Sequence, residues 1–231
     1  MLAHLLFAYS VLFEPVLGVR QYRKLQQSLQ TDSHARQRFY RRILLMEWAW
    51  VVVIGVILLP IPSPLQAIGL VVPQFNDPDQ EFILVLVLAG ALGVLIPILG
   101  LLVLARKSPP LARRLRRMLE SAAALLPATR SERRTWVAVA LTAGIGEELL
   151  FRGFLLFYLA HFFPALSQWG AIGISSAIFG LAHAYQGWRG VLGTGLLGLG
   201  LAFLYVFTGS LLPSMLLHAL TDLRILVLWR P

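Results

Sequence analysis

Long apolar runs are the feature that most limits how this chain can fold. They occupy residues 2–17, 43–61, 82–105, 135–159, 169–185, 190–208 and 211–228. A helix needs about 20 apolar residues to cross the hydrocarbon core of a bilayer, and several runs approach that length. Because 58% of the residues are hydrophobic and only 13% are charged, a soluble domain is a poor alternative. We predict an all-α, polytopic transmembrane bundle of about seven membrane helices.

The basic residues fall into two blocks beside the apolar runs. Residues 18–42 carry seven, and residues 106–134 carry nine, of the 20 lysines and arginines. The connection 62–81 has none and contains the carboxylates Asp77, Asp79 and Glu81. Cytoplasmic loops collect Lys and Arg. We therefore expect a multi-pass protein of the cell membrane, with both basic blocks and the C-terminus on the cytoplasmic side. This placement accounts for the net charge of +9 without a nucleic-acid partner.

Two segments are each compatible with two arrangements relative to the bilayer. Residues 2–17 lack a positive region before the apolar run, and Glu14-Pro15 interrupts it. We expect a short membrane helix or an interfacial segment there, not a cleavable signal peptide. Residues 111–126 combine a basic stripe with an apolar face, which predicts an amphipathic helix on the cytoplasmic leaflet. The alternative for that segment is a solvated charged helix.

Small residues divide the chain into two parts. They recur at every fourth position on two neighbouring segments, as Ser176, Gly180 and Ala184 and as Gly190, Thr194, Gly198 and Ala202. Such faces let helix backbones approach closely in lipid. We expect residues 135–231 to form a compact catalytic core and residues 1–134 to form a more peripheral set of membrane helices with basic loops.

The core contains few ionisable side chains. They are Glu147, Glu148, Arg152, His183, His218, Asp222 and Arg224. Ionisable groups at bilayer depth are costly, face the bundle interior and mark function. Arg224 lies near a helix end, where it can anchor the chain by reaching the interface. The remaining six are candidates for a functional site on three helices.

Helical spacing predicts how these six residues are arranged. Glu148 and Arg152 are four apart and share a face, so we expect them to pair. Glu147 is rotated by about 100° from Glu148 and points elsewhere, without Arg152 as an obvious partner. His218 and Asp222 also share a face. Glu147 is thus left available as a proton acceptor or donor.

Two chemistries remain open for this set. Glu147, His183, His218 and Asp222 form a plausible zinc site with room for water. Alternatively, Glu147 and His183 activate a water without metal, while His218 and Asp222 orient the substrate or stabilise an oxyanion. The chain has no cysteine, which excludes disulfides, cysteine–zinc clusters and a cysteine nucleophile. The motifs HExxH, GxSxG and Walker A are also absent.

The order of these residues resembles the CPBP family of intramembrane proteases, which includes type II CAAX prenyl endopeptidases and bacteriocin-processing relatives. The family motif EExxxR corresponds to Glu147–Arg152, FxxxH to Phe179–His183, and HxxxN or HxxxD to His218–Asp222. The resemblance covers about residues 135–228. The three motifs together, on successive predicted membrane helices, are specific, whereas each alone is weak.

The resemblance implies an intramembrane endopeptidase that cleaves a membrane-associated, CAAX-like peptide or protein substrate. It implies Glu147 as the catalytic glutamate, His183 as its partner in activating water, and His218 and Asp222 on the oxyanion side. Glu148, Arg152 and Phe179 would support the site, and the cofactor would be zinc or none. Because an ionised Asp222 can only accept hydrogen bonds, His218 is the better oxyanion donor, and Asp222 would orient His218 or bind a metal. The rival hypothesis is a membrane scaffold, an immunity protein or a proton-coupled transporter.

Overall fold

The computed structural model describes residues 1–73, 85, 96, 100, 101, 103–105 and 107–229. Within these residues the chain forms helices and their connections, with no strand. In the described part of the chain, three helices are long and apolar enough to cross a membrane, namely Leu2–Ser28, Ala184–Thr208 and Leu211–Leu228. The predicted all-α membrane bundle is confirmed. The number of seven spans stays a prediction, since most of the predicted segment 82–105 and the acidic residues of loop 62–81 lie outside the described residues.

The described helices follow the predicted apolar runs and extend several of them into the basic blocks. In chain order they are α1 (Leu2–Ala8), α2 (Glu14–Ser28), α3 (Ala35–Leu58), α4 (Pro64–Ala67), α5 (Pro109–Leu119), α6 (Arg130–Glu148), α7 (Leu155–Phe162), α8 (Gln168–Ala182), α9 (Gly187–Thr208), α10 (Leu211–Leu223) and α11 (Ile225–Leu228). Arginine and lysine are good helix formers, so a helix can continue past the end of its apolar stretch.

Two π-helical turns keep long helices continuous, and one of them lies where the sequence suggested an interruption. Tyr9–Phe13 joins α1 to α2, so Glu14-Pro15 does not end the first helix. Proline cannot donate a backbone hydrogen bond and clashes with the preceding turn, and a π-helical turn is one way a helix absorbs such a defect. The second turn, Leu149–Phe154, joins α6 to α7 and contains Arg152. Such turns occur frequently at functional sites.

A capping box fixes the start of α6. The backbone N–H of Glu132 donates to the Thr129 hydroxyl at 3.1 Å, and the Thr129 N–H donates back to the Glu132 carboxylate at 3.0 Å. Arg36 on α3 also donates to both carboxylate oxygens of Glu132, at 3.1 Å each. The contact ties an N-terminal helix to the first turn of the predicted core.

The predicted helix over 111–126 is only partly correct. Helix α5 ends at Leu119, and a short 3-10 turn over Glu120–Ala122 follows it. The Tyr22 hydroxyl donates to the Ser121 carbonyl at 2.8 Å, and Arg36 Nε donates to the Ala124 carbonyl at 2.8 Å. Side chains of the N-terminal helices therefore donate hydrogen bonds to carbonyl groups that would accept backbone hydrogen bonds within a longer helix. The position of α5 on a membrane surface stays a prediction.

The small-residue faces bring α8 and α9 together as predicted. A Cβ at Gly180 would lie 2.6 Å from the Val191 carbonyl oxygen and 3.1 Å from Gly195 Cα. Only a residue without a side chain fits such a close approach of two backbones. The N-terminal helices also reach this core, because α3 packs on α6 and α2 packs on α8. The two-part division of the chain stays a prediction.

Candidate active site

Three helices bring the predicted polar residues together. Glu147 and Glu148 end α6, His183 directly follows the last residue of α8, and His218 lies within α10. Because helix α8 stops at Ala182 and a 3-10 turn follows, His183 lies at the break between two helices. Broken helices at membrane depth are tolerated where they line a cavity, as this one does.

Glu148 is the buried centre of an ionic cluster. Its Oε1 atom accepts hydrogen bonds from Arg152 Nη1 at 2.8 Å and from His218 Nδ1 at 2.7 Å. Arg152 also donates through Nη2 to the carbonyl of Gly198 on α9 at 3.0 Å. Glu148 and Arg152 are both 0% exposed. The predicted pairing of Glu148 with Arg152 is present, and the contact with His218 is an addition that helical spacing on one helix could not reveal.

Glu147 points away from this pair and towards both histidines. Its Oε2 atom lies 3.8 Å from His183 Nε2 and 3.8 Å from His218 Nε2. These separations are too long for direct hydrogen bonds. Oε2 is shielded from solvent and has no hydrogen-bond partner among the described residues. A polar separation of this length is one that a water molecule can bridge.

The hydrogen bonds of the histidine rings indicate their tautomers. His183 Nδ1 lies 2.9 Å from the Phe179 carbonyl, which can only accept, so Nδ1 carries a hydrogen. In the neutral ring Nε2 is then an acceptor, and it faces Glu147. The same argument assigns a hydrogen to His218 Nδ1, which faces the carboxylate of Glu148. Both Nε2 atoms are directed at Glu147.

Asp222 lies at the edge of the site. Its Oδ2 atom is 3.9 Å from His218 Nε2, and its side chain is 35% exposed. The carboxylate that hydrogen-bonds His218 is Glu148, and the expectation that Asp222 orients His218 or binds a metal stays a prediction. Helical spacing placed Asp222 on the same helix face as His218. The contact that His218 makes with Glu148 on α6 is nevertheless shorter than its contact with Asp222.

Phe179 packs between the charged groups. Its ring is 1% exposed and lies beneath the Arg152 guanidinium, 4.3 Å from ring centroid to Cζ. The ring also meets His183 and His218, at centroid distances of 4.8 and 5.8 Å. Phe179 thus shields the ionic cluster from solvent and restricts both histidine rings.

Sequence reasoning missed two carboxylates of this region. Glu14 on α2 and Glu47 on α3 line a cavity that also contains Glu147, His183 and Tyr185. We refer to this space as the acidic cavity. A second cavity, on the side of α9 and α10, shares Glu147 and His183 and adds His218, Asp222 and Arg224. Glu14 and Glu47 were visible as carboxylates within the apolar runs 2–17 and 43–61, but none of the three motifs includes them.

The candidate zinc ligands are spaced slightly wider than the ligands of an ideal tetrahedral zinc ion. The measured separations from Glu147 to His183 and His218, and from His218 to Asp222, are 3.8, 3.8 and 3.9 Å. Ligand atoms about 2.1 Å from a tetrahedral zinc lie about 3.4 Å from one another. Within the described residues, no group of three or more His, Cys, Asp or Glu is placed to hold a metal ion.

Comparison with known proteins supports the resemblance seen in the motifs. Residues 130–224 match the family model described as type II CAAX prenyl endopeptidase Rce1-like. No curated protein and no solved structure matches the chain. The matched range contains Glu147, Glu148, Arg152, His183, His218 and Asp222. The region of this chain from residue 130 to residue 224 is therefore similar to the Rce1-like type II CAAX prenyl endopeptidases, a family of proteases.

Proposed function

We propose that this protein is an intramembrane endopeptidase that hydrolyses a peptide bond of a membrane-associated substrate. The observation that carries the proposal is the approach of Glu147 Oε2 to the Nε2 atoms of His183 and His218, at 3.8 Å each, inside the region that matches a protease family. Endopeptidase chemistry needs a base, a positioned water and a donor for the oxyanion. Glu147 supplies the base, Glu147 and His183 position the water, and His218 supplies the donor.

Glu147 and His183 hold the attacking water. Both the carboxylate and the Nε2 atom of His183 are acceptors, so one water can donate a hydrogen to each and direct an oxygen lone pair at the substrate carbonyl. Glu147 removes one proton as the C–O bond forms and the carbonyl electron pair moves to oxygen. When the C–N bond breaks, Glu147 returns this proton to the departing amine. The products are a carboxylic acid and an amine.

His218 stabilises the negative oxygen that forms during attack. Its Nδ1–H is held by Glu148, so only its doubly protonated form presents Nε2–H to the substrate. Glu148 and Arg152 hold the imidazole in a fixed orientation and supply charges that are buried and paired. Preorganised donors of this kind are worth more in a site that excludes water than in solution. Asp222 borders the cavity on the same side.

The first prediction tests Glu147 and His183 in the purified full-length protein. The substrate is a mixture of synthetic peptides, some with a prenylated C-terminal CAAX sequence, and mass spectrometry reads the cleavage sites. We expect Glu147→Gln and His183→Ala to lower cleavage about 100-fold or more, because a positioned acid–base group contributes that much. Glu120→Gln is the matched control, since Glu120 is exposed on a 3-10 turn.

Metal content is measured on the same samples. If the wild type contains stoichiometric zinc and Glu147→Gln has lost it, the mechanism above is wrong and the protein is a metalloprotease. Cleavage that resists chelators and disappears in Glu147→Gln supports the glutamate–histidine mechanism. If folded Glu147→Gln and His183→Ala proteins both keep full activity, the proposal is wrong.

A further inference from the structure

The acidic cavity brings several carboxyl groups close together. Three carboxylates line it, those of Glu14, Glu47 and Glu147, and its lining contains no Lys or Arg. Neither Glu14 nor Glu47 forms an ion pair with any described residue, whereas other buried carboxylates of the chain do. Buried charges are normally paired or bound to a cation.

Glu14 supplies a second observation that points to a ligand. Glu14 lines the cavity, and its Oε2 atom is shielded from solvent and has no hydrogen-bond partner among the described residues. An unsatisfied buried acceptor of this kind is uncommon in folded proteins and calls for a donor. The acceptor belongs to an N-terminal helix outside the range that matches the protease family.

Glu47 is held close to the catalytic glutamate. It lies against the backbone of α6, where a Cβ at Gly146 would overlap its Oε2 atom. Gly146 directly precedes Glu147, so a group bound by Glu47 lies beside the residue that activates the attacking water. The missing side chain at Gly146 makes room for this carboxylate.

The remaining lining favours an organic cation. Tyr9 and Trp50, with ring centroids 4.4 Å apart, form an aromatic part of the wall. Aromatic faces attract ammonium groups. The cavity volume is about 140 Å³, and a cavity of about 150 Å³ is known to hold benzene. This is enough for one side chain, not for a folded peptide.

We propose that the acidic cavity binds the ammonium group of a substrate lysine close to the bond that is cleaved, with Glu14 and Glu47 as specificity-determining residues. The proposal rests on the proposed function and names part of its substrate. The lysine stem packs against the apolar and aromatic lining, and its ammonium donates to the carboxylates.

Binding is tested without cleavage, on full-length protein in nanodiscs. The probes are the methylamides of N-acetyl-lysine and N-acetyl-norleucine, which differ mainly in the ammonium group. A ligand that binds only the folded state raises Tm. We expect a saturable rise with the lysine amide alone, lost in Glu14→Gln/Glu47→Gln and kept in Glu120→Gln. An equal rise with both probes, or no rise with either, overturns the proposal.

Cleavage is tested on the wild type with peptides that carry lysine or norleucine at each position near the bond. We expect kcat/KM to favour lysine about tenfold or more at one position, as removal of one partner of a buried charge pair costs at least that factor. In the Glu47→Gln variant, we expect the ratio of kcat/KM for the lysine peptide to kcat/KM for the norleucine peptide to fall towards one. Equal cleavage of both peptides refutes the lysine site and leaves the protease function intact. Specific binding of the lysine amide without cleavage of any peptide supports the site and contradicts the protease function.

Discussion

At the scale of single residues, Glu148 is the carboxylate on which the site depends. It is fully buried and accepts from both Arg152 and His218 through one oxygen, so it links α6 to α10. Glu147, its neighbour in sequence, makes no direct hydrogen bond to either histidine and faces the cavities. Adjacent glutamates therefore have different surroundings, which is consistent with one structural and one chemical role.

Removal of the Arg152 charge tests the structural role. Arg152→Met leaves Glu148 buried with only His218 as a partner, and breaking a buried pair in this way costs about 3–5 kcal/mol. Arg38, which pairs with Asp32 on the exposed surface, provides the control. Arg38→Met should cost at most about 1 kcal/mol. Unfolding in mixed micelles measures the loss of stability in both variants. Equally small losses would show that the buried cluster contributes little to stability.

At the scale of helices, close backbone contact between α8 and α9 positions His183. The carbonyl of Val191 and the Cα of Gly195 approach Gly180, one turn before the histidine. Arg152 also reaches the Gly198 carbonyl across this interface. A change in the spacing of these helices would therefore displace both a catalytic candidate and the ionic cluster.

Two glycine substitutions on α8 separate packing from helix propensity. A Cβ added at Gly173 would meet no atom within 4 Å outside its own stretch of helix, so Gly173→Ala should stabilise the protein by up to about 1 kcal/mol through propensity alone. At Gly180 the added methyl meets backbone atoms, and overpacking of this kind costs about 1–3 kcal/mol. Thermal unfolding and peptide cleavage of both variants provide the comparison. A stabilised, fully active Gly180→Ala protein would contradict the close-packing argument.

At the scale of the whole molecule, the orientation in the membrane follows from the charge blocks and stays a prediction. The chain has no cysteine, so single introduced cysteines report accessibility without background. We expect Ser33→Cys to react with impermeant reagents from the cytoplasmic side and Ala165→Cys to react from the opposite side. Both positions are exposed outside the α-helices. If both cysteines are labelled from the same side of the membrane, the side assigned to one of the two connections is wrong.

The whole molecule also joins regions that the sequence analysis had separated. Helices α2 and α3 were expected to be peripheral, yet they contribute Glu14 and Glu47 to the cavity at Glu147. The capping residue Glu132 receives Arg36 from α3, which holds the N-terminal part against the matched region. An N-terminal region without a family match thus helps to form the candidate site.

The sequence alone determined the helical class and the identity of the central polar residues. Apolar run length and the cost of an ionisable group in lipid are local properties, so Glu147, His183 and His218 could be selected without coordinates. The pairing of Glu148 with Arg152 was predictable for the same reason, since both residues lie on one helix. The tertiary structure decided which groups meet across helices: His218 with Glu148, and Glu14 and Glu47 with Glu147. Such contacts join residues far apart in the chain, and their distances depend on how the helix backbones pack, which helical periodicity does not specify.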